Sequence, residues 1–342
     1  NPYPVSAPSL QWALDRVLER QADGSGPLQQ TVASVKTGRA RLTEALRAAG
    51  FEVPESQGNF VLARRADVRA VGQLLLGMGI AVRSFGERPG LEDALRITVP
   101  VDPADQERLL QALDVVLAPQ ALLFDMDGVL ADVSRSYREA ILATAKSFGV
   151  ATSAQDVAAK KDQGNANDDW ALTWRLLKDA GVDASLAEVT EVFEGLYQGK
   201  DGVPGLRSTE TLLVDRGLLE SWKQRCPLAV VTGRPRSDAL RFLEEQGSTG
   251  LFDVVVCREH GPLKPDPAPV VEALRQLGVE RAWMVGDTPD DIHAARAAGV
   301  LPVGVLAPGC EEAEALANTR SQLLRSGAGV VLSRTTDLEG FL

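Results

Sequence analysis

Residues 121–132, Ala-Leu-Leu-Phe-Asp-Met-Asp-Gly-Val-Leu-Ala-Asp, set an unbroken apolar run directly before two carboxylates and a glycine. A short run without polar alternation reads as a strand buried on both faces, as in a parallel sheet covered by helices. Asp125 and Asp127 are two residues apart, so they share a face where the strand ends, and Gly128 releases the chain into a turn. Open α/β sheets bind ligands at the carboxyl ends of their strands. An acidic turn ending an ordinary strand would look the same, so the rest of the chain must decide.

Strand-like runs recur at 228–232, 252–257, 282–286, 302–306 and 329–332, separated for the most part by helical patterns such as 237–246, 267–277 and 290–298. This alternation predicts a parallel sheet with helices on both faces. Between Asp132 and Leu228 no strand is evident, only helical patterns at 134–148, 168–180, 185–197 and 208–223. An all-helical insertion between two strands of a parallel sheet reads as a lid that excludes water and gates access. Polar groups recur at the strand ends: Thr232-Gly233-Arg234, then Lys264 between prolines, then Gly286-Asp287 with Asp291 four residues on. Each alone is a turn, a solvated cation or an acidic helix start. Together they supply a nucleophile, a proton donor, cation ligands and fixed positive charge, the set an anionic phosphoryl group requires.

These four segments, Asp125-Met126-Asp127-Gly128-Val129, Thr232-Gly233-Arg234, Lys264-Pro265 and Gly286-Asp287 with Asp291, resemble the ordered motifs of the haloacid dehalogenase (HAD) superfamily of phosphohydrolases. The helical lid between the first two is similar to the phosphoglycolate-phosphatase-like branch. Leu263 stands where that family usually has glycine before the lysine. The resemblance implies a Rossmann-like core with an inserted helical cap, and a Mg²⁺-dependent phosphatase working through an aspartyl-phosphate. Asp125 would be the nucleophile and Asp127 the general acid and base, while Thr232, the Gly233 amide and Lys264 hold the phosphoryl oxygens. Mg²⁺ would lie between Asp125, the backbone carbonyl of Asp127 and Asp287, with Asp291 orienting that shell or pairing with Lys264. Asp127 argues against the dehalogenase members, which need no acid for a halide. A phosphomutase would carry the same core. Arg234 is a candidate for substrate binding; Lys161, Asn165 and Trp170 in the polar stretch 160–170 could contact a polar organic phosphate, and Arg138 and Arg135 are further candidates for its leaving group. A solvated loop with Asp168 as a helix N-cap explains that stretch equally well.

Residues 1–118 follow another pattern: helices at 10–20 and 28–49, strands at 59–63, 80–85 and 95–99, a helix between the first two strands with Asp67 as N-cap, and a closing helix at 103–117. This predicts a small α+β layer. Pro2-Tyr3-Pro4-Val5-Ser6, Gln57-Gly58-Asn59-Phe60-Val61-Leu62, Gly79-Ile80-Ala81-Val82-Arg83 and Leu95-Arg96-Ile97-Thr98-Val99 resemble the carboxyl-terminal small domain of histidinol-phosphate-type aminotransferases, with Pro100 in place of a family glycine. There Arg96 would grip a substrate carboxylate. The family's Schiff-base lysine and pyridine-nitrogen acid belong to a large upstream domain, so residues 1–118 alone are not expected to transaminate. The chain opens with Asn1 rather than Met, as expected of a fragment or processed piece, for example of an aminotransferase–phosphatase fusion.

The expected organisation is therefore 1–118 as the α+β piece, 119–133 with 206–342 as the core, and 134–205 as the cap. A net charge of −11 argues against nucleic acid and anionic membrane surfaces. No apolar stretch reaches membrane-spanning length. Cys226, Cys257 and Cys310 lack metal-ligand spacing and suit thiols in a reducing, cytoplasmic compartment. His260 and His293 read as surface residues. The expected ligands are Mg²⁺ and a small organic phosphate monoester, with histidinol phosphate suggested by the aminotransferase-like piece and phosphoglycolate equally compatible; a homodimer is left open.

Overall fold

The computed structural model describes residues 6–19, 26–161, 168–200, 202–309 and 313–342. It divides into two compact units, Asn1–Gly72 with Ile80–Leu113, and Gln73–Gly79 with Asp114–Leu342. The partition falls inside helix Pro103–Leu117 rather than at the expected boundary between 118 and 119. The last turn of that helix goes with the second unit because the Val115 carbonyl accepts the Trp283 indole N–H at 2.7 Å.

In the first unit, helix Pro27–Ala48 packs on a three-stranded antiparallel sheet ordered Phe60–Arg64, Ala94–Thr98, Arg83–Ser84. Val61, Ala63, Leu95 and Ile97 are buried, as period-two alternation requires. The strand expected at 80–85 shrinks to Arg83–Ser84, both exposed at the sheet edge with a ladder on one side only. Asp67, expected as an N-cap, has its carboxylate gripped by Arg65. The Arg96 guanidinium lies 4.3 Å from the centre of the Phe60 ring.

The second unit is built on a six-stranded, wholly parallel sheet in the order Val254–Val256, Leu228–Val231, Ala121–Phe124, Ala282–Gly286, Leu301–Val305, Val330–Leu332. Ala121–Phe124 lies in its interior and is fully buried. Its side chains alternate: Ala121 and Leu123 meet Val270, Ala273 and Leu274 of helix Ala268–Leu277, whereas Phe124 stacks on Trp222 of helix Arg216–Arg225 with ring centres 5.7 Å apart. An apolar run of this length is what a strand packed on both faces demands.

The insertion forms helices Tyr137–Ser147, Ala154–Lys161, Asp169–Asp179 and Leu186–Gln198 around Tyr137, Ile141, Leu172, Phe193 and Tyr197. Two expectations need correction. The helix expected at 208–223 is a 3₁₀ turn, Leu206–Thr209, a two-residue strand, Thr211–Leu212, and helix Arg216–Arg225 capped by Asp215. Nor is the stretch from Asp132 to Leu228 free of strand. Thr211–Leu212 pairs antiparallel with Ala131–Asp132 at the cap's root, and Gly199–Lys200 pairs with Val203–Pro204. Two-residue ladders are too short to leave a periodic pattern. No helix among the described residues is long and apolar enough to cross a membrane.

Candidate active site

Asp125 is the first residue past the buried strand, its amide donating to the Val285 carbonyl at 2.9 Å, so the sheet ladder itself aims its side chain. Lys264 comes from the loop before helix Ala268–Leu277 and is buried against it. Its ammonium lies 2.6 Å from Asp125 Oδ1, 3.0 Å from the Val231 carbonyl and 2.5 Å from Asp291 Oδ1. Lys264, expected to hold phosphoryl oxygens, lies against the Asp125 carboxylate and holds it in place.

Asp287 and Asp291 come from the next strand end. Asp291 sits in the first turn of helix Pro289–Ala297, and its Oδ2 accepts from the Thr288 hydroxyl and amide at 2.7 and 3.0 Å while Oδ1 faces Lys264. The geometry displays the expected pairing with Lys264 and also keeps Asp291 beside the other acidic groups. Gly286 makes room for it, since a Cβ there would lie 2.2 Å from the Asp291 Cβ. One carboxylate oxygen each of Asp125, Asp287 and Asp291 lie within 4.8 Å of one another. The donor set is all oxygen, which suits a hard divalent cation rather than zinc or copper. The Asp127 carboxylate stands apart from this cluster.

The electrostatics ask for that cation. Asp125, Asp127, Asp287 and Asp291 place four carboxylates beside two cations, Lys264 and Arg234. Burial pushes the Asp125 carboxyl up to about 7; Lys264 pulls it back, and Asp291 and Asp127 push it further. Burial would lower the Lys264 ammonium, but Asp125 and Asp291 outweigh it and hold the lysine charged.

Above this centre is a cavity of about 80 Å³ reached by Asp125, Asp127, Gly233 and Asp287 from the core and by Tyr137, Val157 and Asp169 from the cap. Thr232 is buried at the next strand end, and its hydroxyl oxygen accepts the Arg234 amide at 3.1 Å. Arg138 also lines the cavity, donating to the Gly309 carbonyl at 2.8 Å. Arg234 departs from expectation. It is 2% exposed, and its guanidinium is spent on Asp127, on Glu210 at 2.9 Å and on the Tyr197 hydroxyl at 3.3 Å, leaving it enclosed rather than presented to substrate. Asn165 and the Lys161 side chain lie outside the described residues. Trp170 donates to Glu194 at 2.9 Å and is covered by Arg258, 4.4 Å from its ring centre. Asp168 caps its helix through the Ala171 amide and also accepts from Arg258 at 2.8 Å. His260 and His293 are exposed, Cys257 is buried and Cys226 half-buried. Glu210, Tyr137 and Tyr197 were not anticipated. Nothing in the flanking Thr209 and Thr211 marks Glu210 as buried, and the tyrosines fall in ordinary helical patterns.

The fold and the site define an α/β protein with an acidic centre at the carboxyl ends of a parallel sheet, beneath an inserted helical cap. Residues 119–299, more than half of the chain, match the haloacid dehalogenase-like hydrolases, and the chain belongs to that family. Residues 1–113 match aminotransferase class I and II. A phosphoglycolate phosphatase of Aquifex aeolicus is 31% identical over 188 residues, covering 53% of the chain and 81% of that protein. A Phytophthora nicotianae protein named imidazoleglycerol-phosphate dehydratase is 48% identical over 226 residues, 63% of the chain. The chain spans only 50% of that protein's length. A histidinol-phosphate aminotransferase of Xanthomonas campestris is 40% identical over 114 residues, covering 33% of the chain and 30% of that enzyme. Among solved structures, a predicted phosphoglycolate phosphatase from Haemophilus somnus superposes with a TM-score of 0.52 at 22% identity, over 65% of the chain and 96% of that structure, which shows the fold.

Proposed function

We propose that residues 119–342 are a Mg²⁺-dependent phosphatase that hydrolyses a small phosphate monoester through a phosphoryl group carried on Asp125. The observation that carries this reading is the meeting of Asp125, Lys264, Asp287 and Asp291, from three separate stretches of chain, beside a cavity that Asp125 and Asp287 line. Lys264 favours the ionised form of Asp125 and aims it for attack on phosphorus. Asp127 at the cavity wall gives a proton to the leaving oxygen, then takes one from the water that frees the phosphate. The Thr232 hydroxyl and Gly233 amide receive the phosphoryl oxygens. Asp125 and Asp287 would hold Mg²⁺, with Asp291 fixing Lys264 beside them. Bound there, the cation withdraws charge from the phosphoryl group and offsets the surplus carboxylates.

The small cavity suits a compact ester. We favour histidinol phosphate because the aminotransferase-like piece and the Phytophthora relative both belong with proteins named for imidazole-bearing phosphates. Phosphoglycolate is the alternative named by the phosphatase relatives. The free thiols Cys226 and Cys257 suit a reducing cytoplasm, and the acidic net charge fits a small-molecule partner rather than nucleic acid. The test is phosphate release from a panel of monoesters including both, with Mg²⁺ and with EDTA. Activity should need Mg²⁺ and vanish in Asp125→Asn. A wild-type protein that releases no phosphate from any ester, or only moves it within a sugar phosphate, would refute the reading.

A further inference from the structure

The Arg234 guanidinium is the hub of a buried network that the core and the cap build together. Two of its nitrogens, Nε at 2.8 Å and the terminal Nη2, donate to the same oxygen of Asp127, Oδ1. The other terminal nitrogen donates to Glu210, 2.9 Å away, whose carboxylate is further fixed by the Ser136 and Tyr197 hydroxyls at 2.7 and 3.1 Å. The rings of Tyr137 and Phe242 cover the guanidinium, centred 4.9 and 5.4 Å away. Tyr137 opens the first cap helix and Tyr197 lies near the end of the last. Glu210 and Ser136 lie beside the two-residue ladder at the cap's root.

We propose that Arg234 is a positioning residue. By fixing Oδ1 of Asp127, it leaves the other carboxylate oxygen as the one that exchanges protons with the ester and with water. This rests on the phosphatase reading above, in which Asp127 is the acid and base. A planar, forked cation suits the task because it fixes an orientation, where an ammonium supplies only a point charge. Glu210 anchors the far side of the fork, and Tyr137 and Tyr197 of the cap enclose the guanidinium. Arg234 and Asp127 are 107 residues apart in sequence, so their pairing emerges only from the fold.

Leaving-group dependence tests the proposal. p-Nitrophenolate departs without a proton, whereas phenoxide needs one far more, so damage to a general acid shows in the second ester. Single-turnover phenol release by Arg234→Gln should fall about tenfold or more beyond any fall with p-nitrophenyl phosphate. The Mg²⁺ half-saturation and KM should stay within about twofold of wild type. Asp127→Asn should show the same asymmetry, and the double variant should lose little beyond either single one, because both changes disable one unit. Glu210→Gln, which keeps the arginine, should reproduce the asymmetry in milder form and serves where Arg234→Gln does not fold. Equal losses for the two esters in a folded Arg234→Gln or Glu210→Gln, or additive losses in the double variant, would overturn the inference while leaving the phosphatase standing. A wild type that hydrolyses neither ester would remove both.

Discussion

Gly128 sits at φ 77°, and a Cβ built on it would lie 2.4 Å from Oδ2 of Asp287. The position therefore needs glycine twice, for its left-handed backbone and for the space beside a carboxylate of the acidic cluster. Gly128→Ala should destabilise the fold by about 1–3 kcal/mol through backbone strain. It should also weaken Mg²⁺ binding by displacing Asp287, as urea unfolding and a Mg²⁺ titration would show. Unchanged stability and affinity would mean that the turn is looser than its geometry. At this scale much of the site was legible in sequence, because Asp125, Lys264, Asp287 and Asp291 each stand where a strand or loop delivers them to one end of the sheet. One assignment was not. Arg234 reads as a strand-tip cation whether it meets solvent or lies buried, and burial depends on residues far away in sequence. The pairing of Lys264 with Asp125 and Asp291 likewise emerges only from the fold.

Three of the four cap helices and the parallel strands announced themselves by apolar period and by length, and they appear close to their expected places. The elements that went unseen were the short cap helix Ala154–Lys161, which buries Val157 but carries no long apolar stripe, and the two-residue ladders, whose pairing depends on contacts across the cap's root rather than on local pattern. Besides that root and the Arg234 network, a lateral contact ties cap to core. Arg258, just beyond strand Val254–Val256, donates to Asp168 and covers the Trp170 ring at the start of helix Asp169–Asp179. Both partners of the ion pair are about a quarter exposed, which screens it. Arg258→Ala should ease local opening of that helix by about 1 kcal/mol, lost from the ion pair and the ring contact together. Hydrogen exchange should quicken in residues 169–179 while the sheet amides stay protected. Exchange unchanged in the helix would show that the contact does not hold the cap.

The whole molecule joins an α+β unit that matches aminotransferase class I and II to a hydrolase core, and the acidic centre lies in the second. Burial lifts Asp125 from an ordinary 3.8 to about 7 in the metal-free protein, and burial also raises Glu210. The folded state thus keeps protons that the unfolded chain releases, so the stabilising contribution of Asp125 is full below about pH 4 and is lost as pH climbs through 7. The metal-free core should lose melting temperature across that interval, and Mg²⁺ should restore most of it above pH 7, where Asp125 is ionised to receive the cation. A second transition from the α+β unit should ignore Mg²⁺ altogether. The core claim remains that Asp125 itself accepts the phosphoryl group. Acid-quenched protein, digested and read by mass spectrometry after mixing with a hydrolysed monoester and Mg²⁺, tests it most directly. A phosphoryl adduct on the peptide bearing Asp125, absent with EDTA and absent in Asp125→Asn, is the predicted result. Turnover at wild-type rate in Asp125→Asn, or an adduct on any other residue, would contradict it.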